Sequence, residues 1–160
     1  MTDAELLQLL QATFPARNVT AALKHFRAAV QDYQARNWED AIAKAGKFVE
    51  AVLKALAVRA QAQIPKAAAF KVDTYINELA KAAADRTVSL TIPRACRFIY
   101  EIASNRGGRH DPDEINPNEM DATGAINLAS SDHGQQIFKF DGSLFHPQRC
   151  YQRSRVKEML

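Results

Sequence analysis

Asn37-Trp38-Glu39-Asp40-Ala41-Ile42-Ala43-Lys44-Ala45-Gly46-Lys47-Phe48-Val49-Glu50-Ala51-Val52-Leu53-Lys54-Ala55-Leu56 is the stretch that decides the fold. Trp38, Ile42, Ala45, Val49, Val52 and Leu56 recur at three- and four-residue steps, the period of an α-helix, and Phe48, Leu53 and Ala55 widen the stripe. An apolar stripe this broad belongs to a central helix touching several neighbours, not to a surface helix lying on one. Asn37, directly before it, is a residue type that caps helix starts.

The same periodicity extends in both directions. Upstream, Thr2-Asp3-Ala4-Glu5 has the form of a capping box, and Leu6, Leu9 and Leu10 follow at helical spacing until Pro15. From Asn18, the residues Val19, Leu23, Phe26, Val30 and Tyr33 make a second amphipathic helix, with Lys24, Arg27 and Gln31 between them. Downstream, beyond Pro65, Val72, Tyr75, Ile76, Leu79, Ala80 and Ala83 mark a fourth. Thr91-Ile92-Pro93 starts a fifth, whose inner row is Ile92, Cys96, Ile99 and Ala103 while Arg94, Arg97 and Glu101 lie off it. Asn116-Pro117-Asn118-Glu119 reads as an N-cap with proline at the first helical position, opening a sixth through Met120, Ile126 and Leu128. The expectation is an all-α antiparallel bundle of five or six helices over residues 1–130. Residues 131–160 read as an irregular or poorly ordered extension, where a hairpin turning at Asp141-Gly142 could not stand alone.

Composition agrees. A chain of 160 residues with 47% hydrophobic content holds one core and not two ordinary domains. The net charge of +3 provides no overall basic field, so any nucleic-acid contact must be local. Cys96 and Cys150 have no paired or metal-like spacing, which suits a reducing compartment. No leader pattern and no apolar run near the roughly 20 residues of a membrane helix is present, so the expected location is the cytoplasm, without a membrane partner.

Chemistry concentrates in Asn105-Arg106-Gly107-Gly108-Arg109-His110, between the fifth and sixth helices. Guanidinium groups suit phosphate oxygens, and an imidazole can take and give a proton near neutral pH. Two glycines let the chain turn tightly and leave room for a bulky ligand. With Arg106 in the last helical turn, His110 is four residues on, the spacing that shares a helix face. The plainer alternative for such a loop is a solvated helix connector.

The stretch from Asn37 to Leu56, with Arg106 to His110 and Asn116-Pro117-Asn118-Glu119-Met120-Asp121-Ala122, resembles the bacterial HEPN superfamily, near its abortive-infection members. The resemblance spans roughly residues 37–128. It implies a helical bundle that dimerises and a metal-independent ribonuclease of toxin–antitoxin or anti-phage systems. The family hallmark is an arginine and a later histidine at the end of a late helix, with catalytic roles that transfer to Arg106 and His110. Here three residues separate the pair, one fewer than the four-to-six pattern.

The residues themselves point to chemistry on a phosphodiester, and the resemblance implies that this is RNA cleavage without metal or cofactor. Arg106 would stabilise charge on the phosphoryl oxygens and His110 would move the proton, while Asn105, Arg109 and Arg97 would contact RNA. One histidine does not conveniently serve as both base and acid, so two copies facing each other make chemical sense. A cognate antitoxin or defence partner is a further expected contact. The alternative is a catalytically inactive HEPN-like module that dimerises or binds RNA, a nucleotide or a protein. The acidic run Asp111, Asp113, Glu114, Glu119 and Asp121 opposes nucleic acid, and its plainest use is solvated surface. His110-Asp111-Pro112-Asp113-Glu114 fits no established metal-site spacing. His25 reads as a surface or core-edge histidine, and Trp38 and Phe48 as core.

Overall fold

The computed structural model describes residues 3–65, 69–106 and 117–130. Every regular element among them is helical: α1 (Asp3–Thr13), α2 (Ala16–Gln34), α3 (Trp38–Arg59), α4 (Val72–Ala82), α5 (Ile92–Arg106) and α6 (Glu119–Ser130). The expected C-terminal extension, 131–160, lies outside the described residues.

The broad stripe does make α3 the centre. It packs against α2, α4, α5 and α6, and Ile42, Phe48, Val49, Val52 and Leu53 along it are almost fully buried. Phe26 meets Phe48 with ring centroids 5.5 Å apart, and Tyr33 meets Trp38 at 5.4 Å, so α2 and α3 run antiparallel as a hairpin. Trp38 itself is only half-buried at the hairpin's end. On the other flank, Ala103 of α5 faces Gly46, while Tyr100 meets Phe70, over whose ring Lys54 lies. Rising numbers on α3 match falling numbers on α5, so this pair is antiparallel too.

Helix boundaries differ from the pattern in instructive ways. The second helix begins at Ala16, because Pro15 both stops α1 and, with φ preset at −56°, leads directly into α2. Asn37 does not cap α3: its side-chain amide donates to Asp40 Oδ2 at 2.7 Å and accepts no backbone N–H. The α6 cap is Asn118, not Asn116. Asn118 Oδ1 accepts from the Asp121 N–H at 3.0 Å while Asp121 Oδ2 accepts from the Asn118 N–H at 3.3 Å, a reciprocal capping box that leaves Pro117 just outside the helix. Met120, in the first turn of α6, is 81% exposed and outside the core.

The fifth helix starts earlier than Thr91-Ile92-Pro93 suggests. Asp85 Oδ1 accepts the N–H groups of Thr87 at 2.7 Å and Val88 at 3.2 Å, and a π-helical turn over Thr87–Thr91 continues into α5. Pro93 explains the wider turn: it has no N–H, and in an α-helix its ring would press on the carbonyl four residues back.

Candidate functional site

The inner row of α5 is as expected, with Ile92, Cys96 and Ile99 buried. Burial pushes the Cys96 thiol up to about 12, so it stays protonated and serves as a small apolar group. Ala103, one turn further, is half-buried, and a Cβ built on Gly46 would stand 2.8 Å from the Ala103 Cβ. A glycine at position 46 thus permits a close approach of α3 and α5. Gly46→Ala would add helix propensity of about 1 kcal/mol but overpack a backbone-anchored contact at a cost of about 1–3 kcal/mol. The clash dominates, so we expect a lower melting temperature for Gly46→Ala. Adding Ala103→Gly should make the double variant more stable than the two separate effects predict, as read in a thermal double-mutant cycle.

Arg106 is the last residue of α5, and Asn105 beside it is exposed. The end of the bundle they occupy can be identified from contacts. Tyr33, near the end of α2, shares a hydrogen bond of 2.9 Å with Thr123 in the first half of α6, and Gly46 in the first half of α3 faces Ala103. The α5 end, the α6 start and the α2–α3 turn therefore lie together. Carboxylates at a helix N-terminus are favoured by the helix dipole, which gives Glu119 and Asp121 on α6 a structural role beside any chemical one. Gly107, Gly108, Arg109, His110 and the acidic residues to Glu114 lie outside the described residues.

Arg97 is engaged elsewhere. Its Nε donates to Glu101 Oε1 at 2.8 Å and its guanidinium contacts Asp73 Oδ1 at 3.2 Å, so RNA would compete with two carboxylates for it. The hydrogen bond that Arg97 donates to Glu101, then the charge of Asp73, raises the Arg97 pKa. The Glu101 partner is legible as an i, i+4 pair, but Asp73 comes from α4 and carries no local signal.

His25 reads from the sequence as a surface or core-edge histidine, and it is one; the group that carries no local signal is the set of lysines around it. His25 on α2 is half-buried at the α2–α3 seam, and its pKa lies below the ordinary 6.5, first through burial and then through Lys47, Lys24 and Lys44, with Glu50 acting in the opposite sense. Pairing two helices across a short turn would have found the lysines, since that register sets residue 25 beside residues 44–48.

Among the described residues, no three His, Cys, Asp or Glu side chains converge as a metal site, and no helix is long and apolar enough to cross a membrane. An open cleft of about 500 Å³ at the far end of α3, lined by Asn18, Lys54, Val58, Gln61, Ile64 and Tyr75, is remote from Arg106. No protein-family model, curated protein or solved structure matches the chain. The functional reading therefore rests on the residues and their geometry.

Proposed function

We propose that this chain is a metal-independent endoribonuclease of HEPN type, acting as a homodimer in the cytoplasm within a bacterial defence or toxin–antitoxin system. The observation that supports it best is the position of Arg106, the final residue of a helix held in place by the Gly46–Ala103 contact, with His110 four residues further along the chain.

In this reading His110 removes the proton from a ribose 2′-hydroxyl, and the resulting oxygen attacks the adjacent phosphorus. The phosphorus–5′-oxygen bond breaks, a 2′,3′-cyclic phosphate forms, and the leaving 5′-oxygen takes a proton from His110 of the second copy. Arg106 neutralises charge on the phosphoryl oxygens as it builds, while Asn105 and Arg109 hold the backbone. DNA is not a substrate because it lacks the attacking hydroxyl.

The test is cleavage of a mixed RNA pool in chelator by the native chain, His110→Ala and Arg106→Ala, with product ends analysed for 2′,3′-cyclic phosphate. Cleavage lost in both variants supports the reading. A folded, dimeric native chain that cuts nothing overturns it in favour of a silent binding module, a reading that the carboxylate-paired Arg97 suits.

A further inference from the structure

Lys24 and His25 stand on α2, Lys44 and Lys47 on α3, and the 5.5 Å contact of Phe26 with Phe48 brings these helical turns side by side. Lys24 and Lys47 are exposed and Lys44 is half-exposed, and none of the three has a hydrogen-bond or ion-pair partner among the described residues. Some other cations are matched, Lys81 with Glu78 and Arg97 with Asp73 and Glu101. Glu50, the carboxylate that acts on His25, is itself bonded to Lys54. A chain of only +3 net charge has thus gathered unneutralised ammonium groups at one seam. Like charges so close repel one another, and the repulsion is relieved when an anion settles among them; at His25 the same three charges add to burial in lowering the pKa.

The place of this cluster matters as much as its charge. Lys47 follows Gly46, which faces Ala103, and Arg106 lies three residues beyond, a rise of about 4.5 Å. Neighbouring helix axes are roughly 8–10 Å apart, so Lys44 and Lys47 on α3 sit near the height of the α5 end and one helix across, with Lys24 on α2 beyond them. We infer that the α2–α3 face carrying Lys24, His25, Lys44 and Lys47 binds the sugar–phosphate backbone of single-stranded RNA and leads it to the end of α5. The choice of RNA rests on the function proposed above, whereas the phosphate chemistry rests on the lysines alone. A membrane surface is a poorer fit, because the large exposed apolar side chains, Val58, Phe98 and Met120, are not interleaved with these cations. A small ligand fits poorly too, since the 500 Å³ cleft is at the other end of α3.

The test uses the full chain carrying His110→Ala, so that bound RNA survives, and reads fluorescence anisotropy of a labelled single-stranded RNA over a salt series. Adding Lys24→Ala, Lys44→Ala and Lys47→Ala together should weaken binding about fifty-fold at about 0.15 M salt and lower the slope of log K against log salt by about 2. A control triple with the same loss of charge, Lys71→Ala, Lys81→Ala and Arg86→Ala, should bind as the parent does. Unchanged binding in the first triple, with circular dichroism showing it folded, overturns the inference, and so does an equal loss in both triples. Cleavage by the native chain is scored separately. Binding governed by the three lysines without any cleavage would remove the ribonuclease reading and keep this surface. Cleavage with lysine-independent binding would remove this surface alone.

Discussion

Replacing His110 by alanine is expected to slow RNA cleavage by about 10²–10⁴, the usual worth of a positioned proton-transfer group. Arg106→Ala should cost about 10²–10³ through lost stabilisation of phosphoryl charge. Both losses should appear in single-turnover rates with folding and dimerisation intact, and chelator should change neither the native rate nor the product ends. The two variants should also differ in pH dependence. Arg106→Ala keeps the imidazole and hence the limbs of the native pH–rate profile, whereas His110→Ala should lose them. Arg106→Lys restores charge but not the planar fork, so partial recovery is expected, smaller than simple charge replacement would give.

The second large effect concerns stability. Phe48→Ala removes the largest fully buried side chain among the described residues, one that is 2% exposed and packed against the Phe26 ring in the middle of the α2–α3 seam. Truncations of this kind cost about 3–5 kcal/mol, against total stabilities of about 5–15 kcal/mol for domains of ordinary size. We expect the urea midpoint to fall far enough to leave a measurable unfolded fraction at 37 °C. Phe48→Leu keeps most of the volume and should recover the greater part of the loss.

Helix number and the inner faces of α2, α3 and α5 were legible because apolar period and burial are two views of one constraint, as in the row Ile92, Cys96 and Ile99. The ends were harder. Both α2 and α3 finish with a left-handed residue, Arg36 at φ 61° and Gln61 at φ 54°, followed by a residue whose N–H reaches back five positions, Asn37 to Asp32 and Ala62 to Ala57. Glycine usually marks that position, and without it the stops carry no local sign. Asn37 and Asn118 show the same limit at helix starts. Both residue types favour caps, yet only Asn118 has a carboxylate at the third helical position in place to answer it, while Asp40 takes the Asn37 amide instead.

The loop chemistry of Asn105 to His110 was read from residue types, and the structure adds the anchoring of the helix before it. The lysine seam was not read, since Lys24 and Lys47 are 23 positions apart and only the hairpin register makes them neighbours.

Cys96 gives this helix an internal reporter. Only the thiolate reacts with alkylating reagents, and a buried thiol raised to about 12 offers almost none until its surroundings open. Labelling at Cys96, located by peptide mass to separate it from Cys150, therefore counts the moments when α5 lifts from α3. Gly46→Ala should speed that labelling, since it loosens the same contact. The probe is native to the chain and sits ten residues before Arg106, so the breathing of the helix that carries the arginine can be timed without adding a single foreign atom before the reagent.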